Sequence, residues 1–299
     1  MHRITLNKGI EKYSIDIQNI KYLIGDNQQV KFNIYQLLKG AFSKVQNSEY
    51  AIENNLKHSV YFDDKPFDLK FWRFFEVSAQ FDLESDMKMG SKSLVLKYLE
   101  SFSEQLERCE TFTTLSLLAK ALNEEFFEVD TILSFNDKRL SFSISDIPTS
   151  VIFKECAPTI RSDDLEMNYS DLSYEDIILF QLEMILLIAQ RERDKNAIVF
   201  CTIPVITTRI SEFLMKCSDE NLYLIVETRD VSKCSLLEVL VCSRLYADLA
   251  NEELLLDIIM DLPFHIQKNE LLEQINLIIN NGNNDKNDPV YIAFFPWKT

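Results

Sequence analysis

Glycine is the scarcest structural residue in this chain: Gly9, Gly25, Gly40, Gly90 and Gly282 are all that 299 residues contain. That leaves no place for the G-x-G-x-x-G turn of a dinucleotide-binding unit or for a G-x-S-x-G nucleophile elbow. Histidine is rarer still (His2, His58, His265), and the cysteines at positions 109, 156, 201, 217, 234 and 242 include no C-x-x-C pair. No zinc ligand set can be assembled from them. Most of these thiols stand in apolar runs, where free cysteine acts as a small hydrophobe, so a reduced, cytoplasmic protein is expected. Long hydrophobic runs are missing too. The most apolar stretch, Ile177 to Gln190, is too short to span a bilayer and carries Glu183. No N-terminal segment joins a basic flank to an apolar core, so neither a secretory signal nor a membrane partner is expected.

Positive charge is the last shortage. The formal net charge is −16, which argues against a general nucleic-acid binder, because contact with a phosphate backbone needs Lys and Arg. The deficit is uneven. Residues 1–97 hold 14 basic and 12 acidic side chains, and the remaining 202 residues hold 17 and 35. A chain this lopsided can present a basic face locally while the acidic remainder repels DNA elsewhere. Hydrophobic content of 46% against 26% charged places the chain among globular proteins, with room for one large domain and an appendage.

What is present is a phosphate-loop spacing without the residues that make one work. Gly25 to Phe32 reads GDNQQVKF, against the functional G-x-x-x-x-G-K-[ST]. Gly25 and Lys31 keep their places, and an ordinary strand–turn–helix with a chance glycine and a packing or surface lysine accounts for the same spacing. Val30 stands where the second glycine lets backbone N–H groups close on phosphate oxygens, and β-branched side chains resist the φ > 0 conformations glycine adopts. Phe32 replaces the hydroxyl that ligates Mg²⁺. The flanks still fit, with Ser14 to Ile24 reading as a strand and Val30 to Val45 as a helix. GSKS at Gly90 to Ser93 has the wrong spacing for phosphate and reads as a helix start.

Along the chain, His58 to Asp64 and Phe71 to Ala79 are aromatic-rich and strand-like. Apolar spacing predicts helices over Ser91 to Arg108 and Phe112 to Phe126, joined as an αα-hairpin. Thr131 to Ile144 reads as a β-hairpin turning at Asn136 and Asp137. After a polar connection, Ser173 and Asp176 have capping-box spacing and open a long helix to about Arg193. Asn196 to Pro204 and Asn221 to Arg229 are continuous apolar runs flanking a helix over Thr207 to Lys216. That alternation is a βαβ unit and implies a parallel sheet. Helices over Asn251 to Met260 and Lys268 to Asn280 precede a last strand-like segment, Tyr291 to Phe295. The expected architecture is an α/β fold: a degenerate P-loop NTPase-like head with a parallel sheet core, from residues 1–90 and 195–299, and a mainly helical leg inserted over 91–194. The strand at 197–203 has no acidic residue at its tip, where such enzymes hold Mg²⁺ through water.

IGDNQQVKF, the block from Phe75 to Phe102, and the paired strands AIVFCTIP and NLYLIVETRD together resemble the accessory spacer-acquisition protein of type II-A CRISPR systems, in a long variant. The resemblance spans most of the chain in order of elements. It implies a degenerate P-loop ATPase-like head with a helical leg, no enzymatic activity, no bound nucleotide, and a homotetrameric ring. The ring's basic lumen binds ends of double-stranded DNA, and calcium stabilises it. Partners would be the CRISPR integrase and the RNA-guided effector nuclease during antiviral defence.

Carried onto this sequence, the resemblance places calcium in NEEFFEVD, where Glu124, Glu125, Glu128 and Asp130 suit a cation that takes six to eight oxygens. A solvated acidic helix end accounts for the same run. For DNA, a lumen needs cations along the backbone rather than base-reading side chains. The candidate groups are Lys88, Lys92 and Lys97, and Arg191, Arg193 and Lys195; an ordinary charged surface is the competing account of both. Two other functions stay open at the level of sequence, a nucleotide-responsive P-loop-like switch and an acidic interaction scaffold.

Overall fold

The apolar runs within Asn196–Thr202 and Leu222–Glu227 become strands, and the most apolar stretch, Ile177 to Gln190, becomes part of a helix. In unit order, residues Met1–Phe81 and Ser173–Thr299 cluster as one compact unit and Asp82–Leu172 as another. This computed structural model describes residues 1–42, 60–128, 133–135, 138–140, 148–156, 158–162, 165–217, 221–229, 234–243, 246–261 and 265–281. The strands in chain order are β1 (His2–Lys8), β2 (Glu11–Ile17), β3 (Ile20–Ile24), β4 (Val60–Phe62), β5 (Lys65–Pro66) and β6 (Trp72–Ser78), then β7 (Leu133–Phe135), β8 (Lys138–Leu140), β9 (Ile160–Ser162) and β10 (Leu165–Met167), and finally β11 (Asn196–Thr202), β12 (Leu222–Glu227), β13 (Val239–Cys242) and β14 (Tyr246–Asp248).

The core of the first unit is a six-stranded sheet in the order β14-β13-β3-β12-β11-β6. Every pairing in it is parallel except β13 with β14. β3 is buried at every residue, as are the apolar centres of β11, β12 and β13, which is the pattern of strands covered on both faces. This confirms the α/β class and the βαβ unit expected from the alternation around residue 200.

One face of this sheet meets a second, four-stranded sheet (β2-β1-β4-β5) and the helix Gln28–Ala41. Leu23, Trp72, Ile198, Phe200, Tyr223, Ile225 and Leu240 pack there with Ile4, Leu6, Ile15, Ile34 and Leu38. Each such side chain taken wholly out of water contributes about 1.5–3 kcal/mol before entropy is charged. Because successive strand residues point to opposite faces, Val77, Val199, Cys201, Leu224 and Val226 are buried on the other side. On β6, the backbone N–H of Ser78 donates to Gln181 Oε1 (3.1 Å) and its carbonyl accepts from Gln181 Nε2 (2.8 Å), which ties the helix Tyr174–Arg191 to this edge strand. Ser173 and Asp176 form the expected capping box at that helix's start.

The structure departs from the sequence reading in several places. Ser14 to Ile24 is two strands in two sheets, because the polar Gln18–Asn19 pair ends β2 before β3 begins. Ser91 to Arg108 is broken into a short 3-10 turn at Gly90–Lys92 and the helices Leu94–Glu100 and Ser103–Glu107. The break follows from Asp86 and Ser93. The Asp86 carboxylate accepts from Ser93 Oγ (2.7 Å) and from the backbone N–H groups of Leu94 and Val95 (3.0 Å each), so a new helix N-terminus is built at Ser93. The supposed polar connection before Ser173 holds a helix (Thr149–Lys154) and the β9–β10 hairpin. The helix Tyr174–Arg191 groups with the sheet, whereas 91–194 had been assigned whole to the leg. β1, β13 and β14 went unread. The hairpin β7–β8 is present, with its turn at Asn136 and Asp137 outside the described residues, as is Tyr291 to Phe295.

Candidate functional site at the carboxyl edge of the sheet

Ligands of open parallel sheets bind outside the carboxyl ends of the strands, where the strand order reverses. Here that place is the end of β3, which has β12 on one side and β13 on the other. Only Gly25, Asp26 and Asn27 separate β3 from the helix Gln28–Ala41. Asn27 is the helix cap, and its side chain accepts from the Val30 backbone N–H (3.1 Å). The sequence had placed the helix start at Val30. It begins at Gln28 because Asn27 supplies the cap, and the loop is correspondingly short.

The loop is closed by the chain itself. Asn27 N–H donates to the Cys242 carbonyl (2.9 Å), Asn27 Nδ2 to the Ser243 carbonyl (3.2 Å), and Ser243 Oγ to Asp26 Oδ1 (3.1 Å). Gly25 has φ +96, and a Cβ built on it would lie 2.4 Å from the Cys242 carbonyl oxygen and 2.5 Å from Ser243 Oγ. Glycine is therefore needed here on two counts, its left-handed backbone and the close approach of the end of β13 with Ser243. In a working phosphate loop that freedom serves the approach of phosphate; here it admits a neighbouring backbone.

Lys31 keeps its expected position one turn into the helix, but it is buried to 2% exposure. Its ammonium stands 3.6 Å from Glu227 Oε1, beyond hydrogen-bond length, and the Glu227 side chain is 23% exposed. Glu227 ends β12, opposite Leu23 of β3. The Cys242 thiol nearby is pushed up to about 12 by burial, with the Lys31 charge opposing that rise and Glu227 adding to it. Phe32, in the place of the Mg²⁺-binding hydroxyl, is exposed. The tip of β11 is Thr202, as the sequence indicated, and the acidic side chain stands one strand over. Glu227, Cys242 and Ser243 were missed. A single charged residue closing the otherwise apolar LYLIVE was the signal available for the first.

The proposed DNA groups are distributed between the two units. Lys88 and Lys92 are exposed and Lys97 is half-buried, all in the unit Asp82–Leu172. Arg191, Arg193 and Lys195 belong to the other. Arg191 Nη1 donates to the Leu187 carbonyl (3.4 Å) and Arg193 Nε to the Gln190 carbonyl (3.3 Å). Lys195 Nζ donates to Glu192 (3.0 Å), which also accepts from Arg73 (3.2 Å). Arg191 and Arg193 are exposed, and the charge of Lys195 is largely matched by Glu192. Glu124, Glu125 and Glu128 lie on the last turns of the helix Glu110–Glu128, and Asp130 lies outside the described residues.

No protein-family model and no curated protein matches the chain. Among solved structures it is similar to the Stu0660 protein of Streptococcus thermophilus, with a TM-score of 0.66 at 12% sequence identity. The match covers 93% of this chain and 86% of that one. At such identity the likeness speaks for the fold, and it does so over nearly the whole length. Among the described residues, no helix is long and apolar enough to cross a membrane.

Proposed function

We propose that this protein binds ends of double-stranded DNA without hydrolysing nucleotide, and that it serves the capture of new spacers in CRISPR-based antiviral defence. The observation that carries the reading is the self-closed loop after β3. A strand–loop–helix of phosphate-binding form has its cradle tied to Cys242 and Ser243, and its lysine faces Glu227. A scaffold of this kind with its triphosphate position taken is what the resemblance to the accessory spacer-acquisition proteins leads one to expect. The fold likeness to Stu0660 supports the same scaffold. Exposed Lys88, Lys92, Arg191 and Arg193 supply phosphate-directed charge on an otherwise acidic chain. In this reading the protein is a homotetramer that acts beside the integrase and the RNA-guided nuclease. Calcium is assigned to the acidic run from Glu124 to Asp130, whose carboxylates have the chemistry a hard cation needs.

The test is a gel shift with linear and closed circular duplex of one sequence, with and without calcium. Retention of the linear form alone, strengthened by calcium and weakened by salt, is the expected result. Equal and negligible retention of both forms overturns the proposal. Thermal stabilisation by Mg·ATP would instead favour a nucleotide-responsive switch.

A further inference from the structure

Lys31 poses a question that the broken loop does not answer. A lysine side chain at 2% exposure leaves its ammonium little water, and such a charge is costly to hold unless a counter-charge compensates it. In a working loop the lysine is drawn toward phosphate oxygens at this edge of the sheet. Here the chain has lost the second glycine and the metal-binding hydroxyl, yet it has kept the lysine and kept it buried.

We infer that the Glu227 carboxylate is a built-in counter-ion, standing toward Lys31 where a phosphoryl oxygen would stand, and that this contact shuts the edge of the sheet to anionic ligands. The inference rests on the degenerate-loop reading above and adds the residue that closes it. Three observations carry it. The two charges come from different elements, the helix after β3 and the tip of β12, so the contact exists only in the folded sheet. Burial is unequal, with the lysine side chain enclosed and the carboxylate 23% exposed, so the anionic partner is the one that meets solvent. The distance of 3.6 Å is that of two opposed charges without a hydrogen bond, which leaves the ammonium with donor capacity unused toward Glu227. The surrounding groups are already committed. The Val30 N–H is taken by Asn27, the Gln28 N–H by the Asp26 carbonyl (2.8 Å), and Ser243 Oγ by Asp26. Glu227 is thus the group whose charge faces Lys31 across the edge.

Glu227→Gln keeps the shape and removes the charge. With inorganic phosphate or tripolyphosphate as the probe, followed by thermal unfolding, the variant is expected to melt below the unaltered protein in probe-free buffer. It should then recover by about 3 °C at roughly tenfold excess of the probe over its Kd. The unaltered protein should not respond beyond what sodium chloride of equal ionic strength produces. Adding Lys31→Met to Glu227→Gln should abolish the recovery. An unaltered protein that responds as strongly as the variant, or a variant that melts normally and ignores both anions, overturns the inference. Should Glu227→Gln fail to fold, the paired change Lys31→Met with Glu227→Leu decides instead, because both charges leave together. Melting of that double variant above either single one supports the pair, and additive losses dismiss it. The gel shift of the unaltered protein is a separate readout, so failure of DNA binding and failure of this inference are told apart.

Discussion

Two of the described lysines are buried in the first unit, one toward each end of β3, and they are held in opposite ways. At the start of the strand, Lys21 Nζ donates to Asp248 Oδ1 at 2.7 Å and to the Leu237 carbonyl at 3.1 Å. Asp248 in turn accepts from the backbone N–H groups of Asp16 (2.6 Å) and Ala250 (3.0 Å). The side chains of both partners are essentially inaccessible, at 1% and 0% exposure. Burial nevertheless raises the Asp248 carboxyl above its ordinary range, against the pull of Lys21. At the far end, Lys31 meets one partly exposed carboxylate with no hydrogen bond between them. The first arrangement is a closed polar network linking β2, β3 and β14, and every group in it is committed. The second is an open contact at the edge where ligands of such sheets bind. Charge burial alone therefore does not mark a functional group; the number of fixed partners and the access of the counter-charge separate the two lysines.

The sharpest way to break this comparison is to remove Asp248. Asp248→Ala leaves the Lys21 ammonium buried with only a carbonyl, and loss of one partner of a buried pair costs about 3–5 kcal/mol. Denaturant unfolding monitored by circular dichroism should show that loss, whereas Lys21→Met with Asp248→Leu should recover much of it. A loss under about 1 kcal/mol for Asp248→Ala would mean that water reaches this end of β3 as freely as the other. Next in size is Gly25→Ala. It forces a side chain into φ +96 and a Cβ against the Cys242 carbonyl, for an expected cost of roughly 2–4 kcal/mol. If that variant is as stable as the parent, the end of β13 with Ser243 does not close the loop.

Much of this arrangement is legible in the sequence, and the part that is not has a common cause. β3 with its helix, and β11 with β12, announce themselves by local composition, since unbroken apolar runs between polar turns leave few alternatives. The capping box at Ser173 is equally local. β13 and β14 are short, and only burial within the sheet makes VLVC and YAD into strands. The partners of both lysines are remote. Lys21 and Asp248 are 227 positions apart, and Glu227 reaches Lys31 only because β12 lies beside β3. Sequence spacing singled out Gly25 and Lys31. It could not say that Ser243 and Cys242 would close against Gly25, because that depends on which strand is the neighbour. The split of the helix expected over Ser91 to Arg108 belongs in the same class, since Asp86 acts on Ser93, Leu94 and Val95 across a turn.

Lys31→Met is the milder counterpart of the change at the other lysine. It leaves Glu227 with a charge that solvent can hydrate, so the expected loss is about 1 kcal/mol, and it should stay well below that of Asp248→Ala in the same titration. Equal losses at the two ends would erase the distinction between closed network and open contact.

The smallest effect on stability, and the largest on proposed function, is expected at Lys88 and Lys92. Both are exposed, so replacing them with alanine should move the unfolding free energy by no more than about 0.5 kcal/mol. If they touch DNA phosphates, each should contribute counterion release, and the slope of log affinity against log salt should fall by roughly 0.9 per lysine. The same measurement on Arg191→Ala with Arg193→Ala weighs the second group, whose guanidiniums donate to helix-end carbonyls. Lys195 serves as the internal control, because Glu192 already matches its charge and its removal should leave the slope nearly unchanged. A slope that ignores Lys88 and Lys92 but follows Arg191 and Arg193 would assign the DNA-facing charge to the sheet unit. A slope that follows neither would leave both clusters as ordinary solvated surface and move the search for the interface to other cations of this acidic chain.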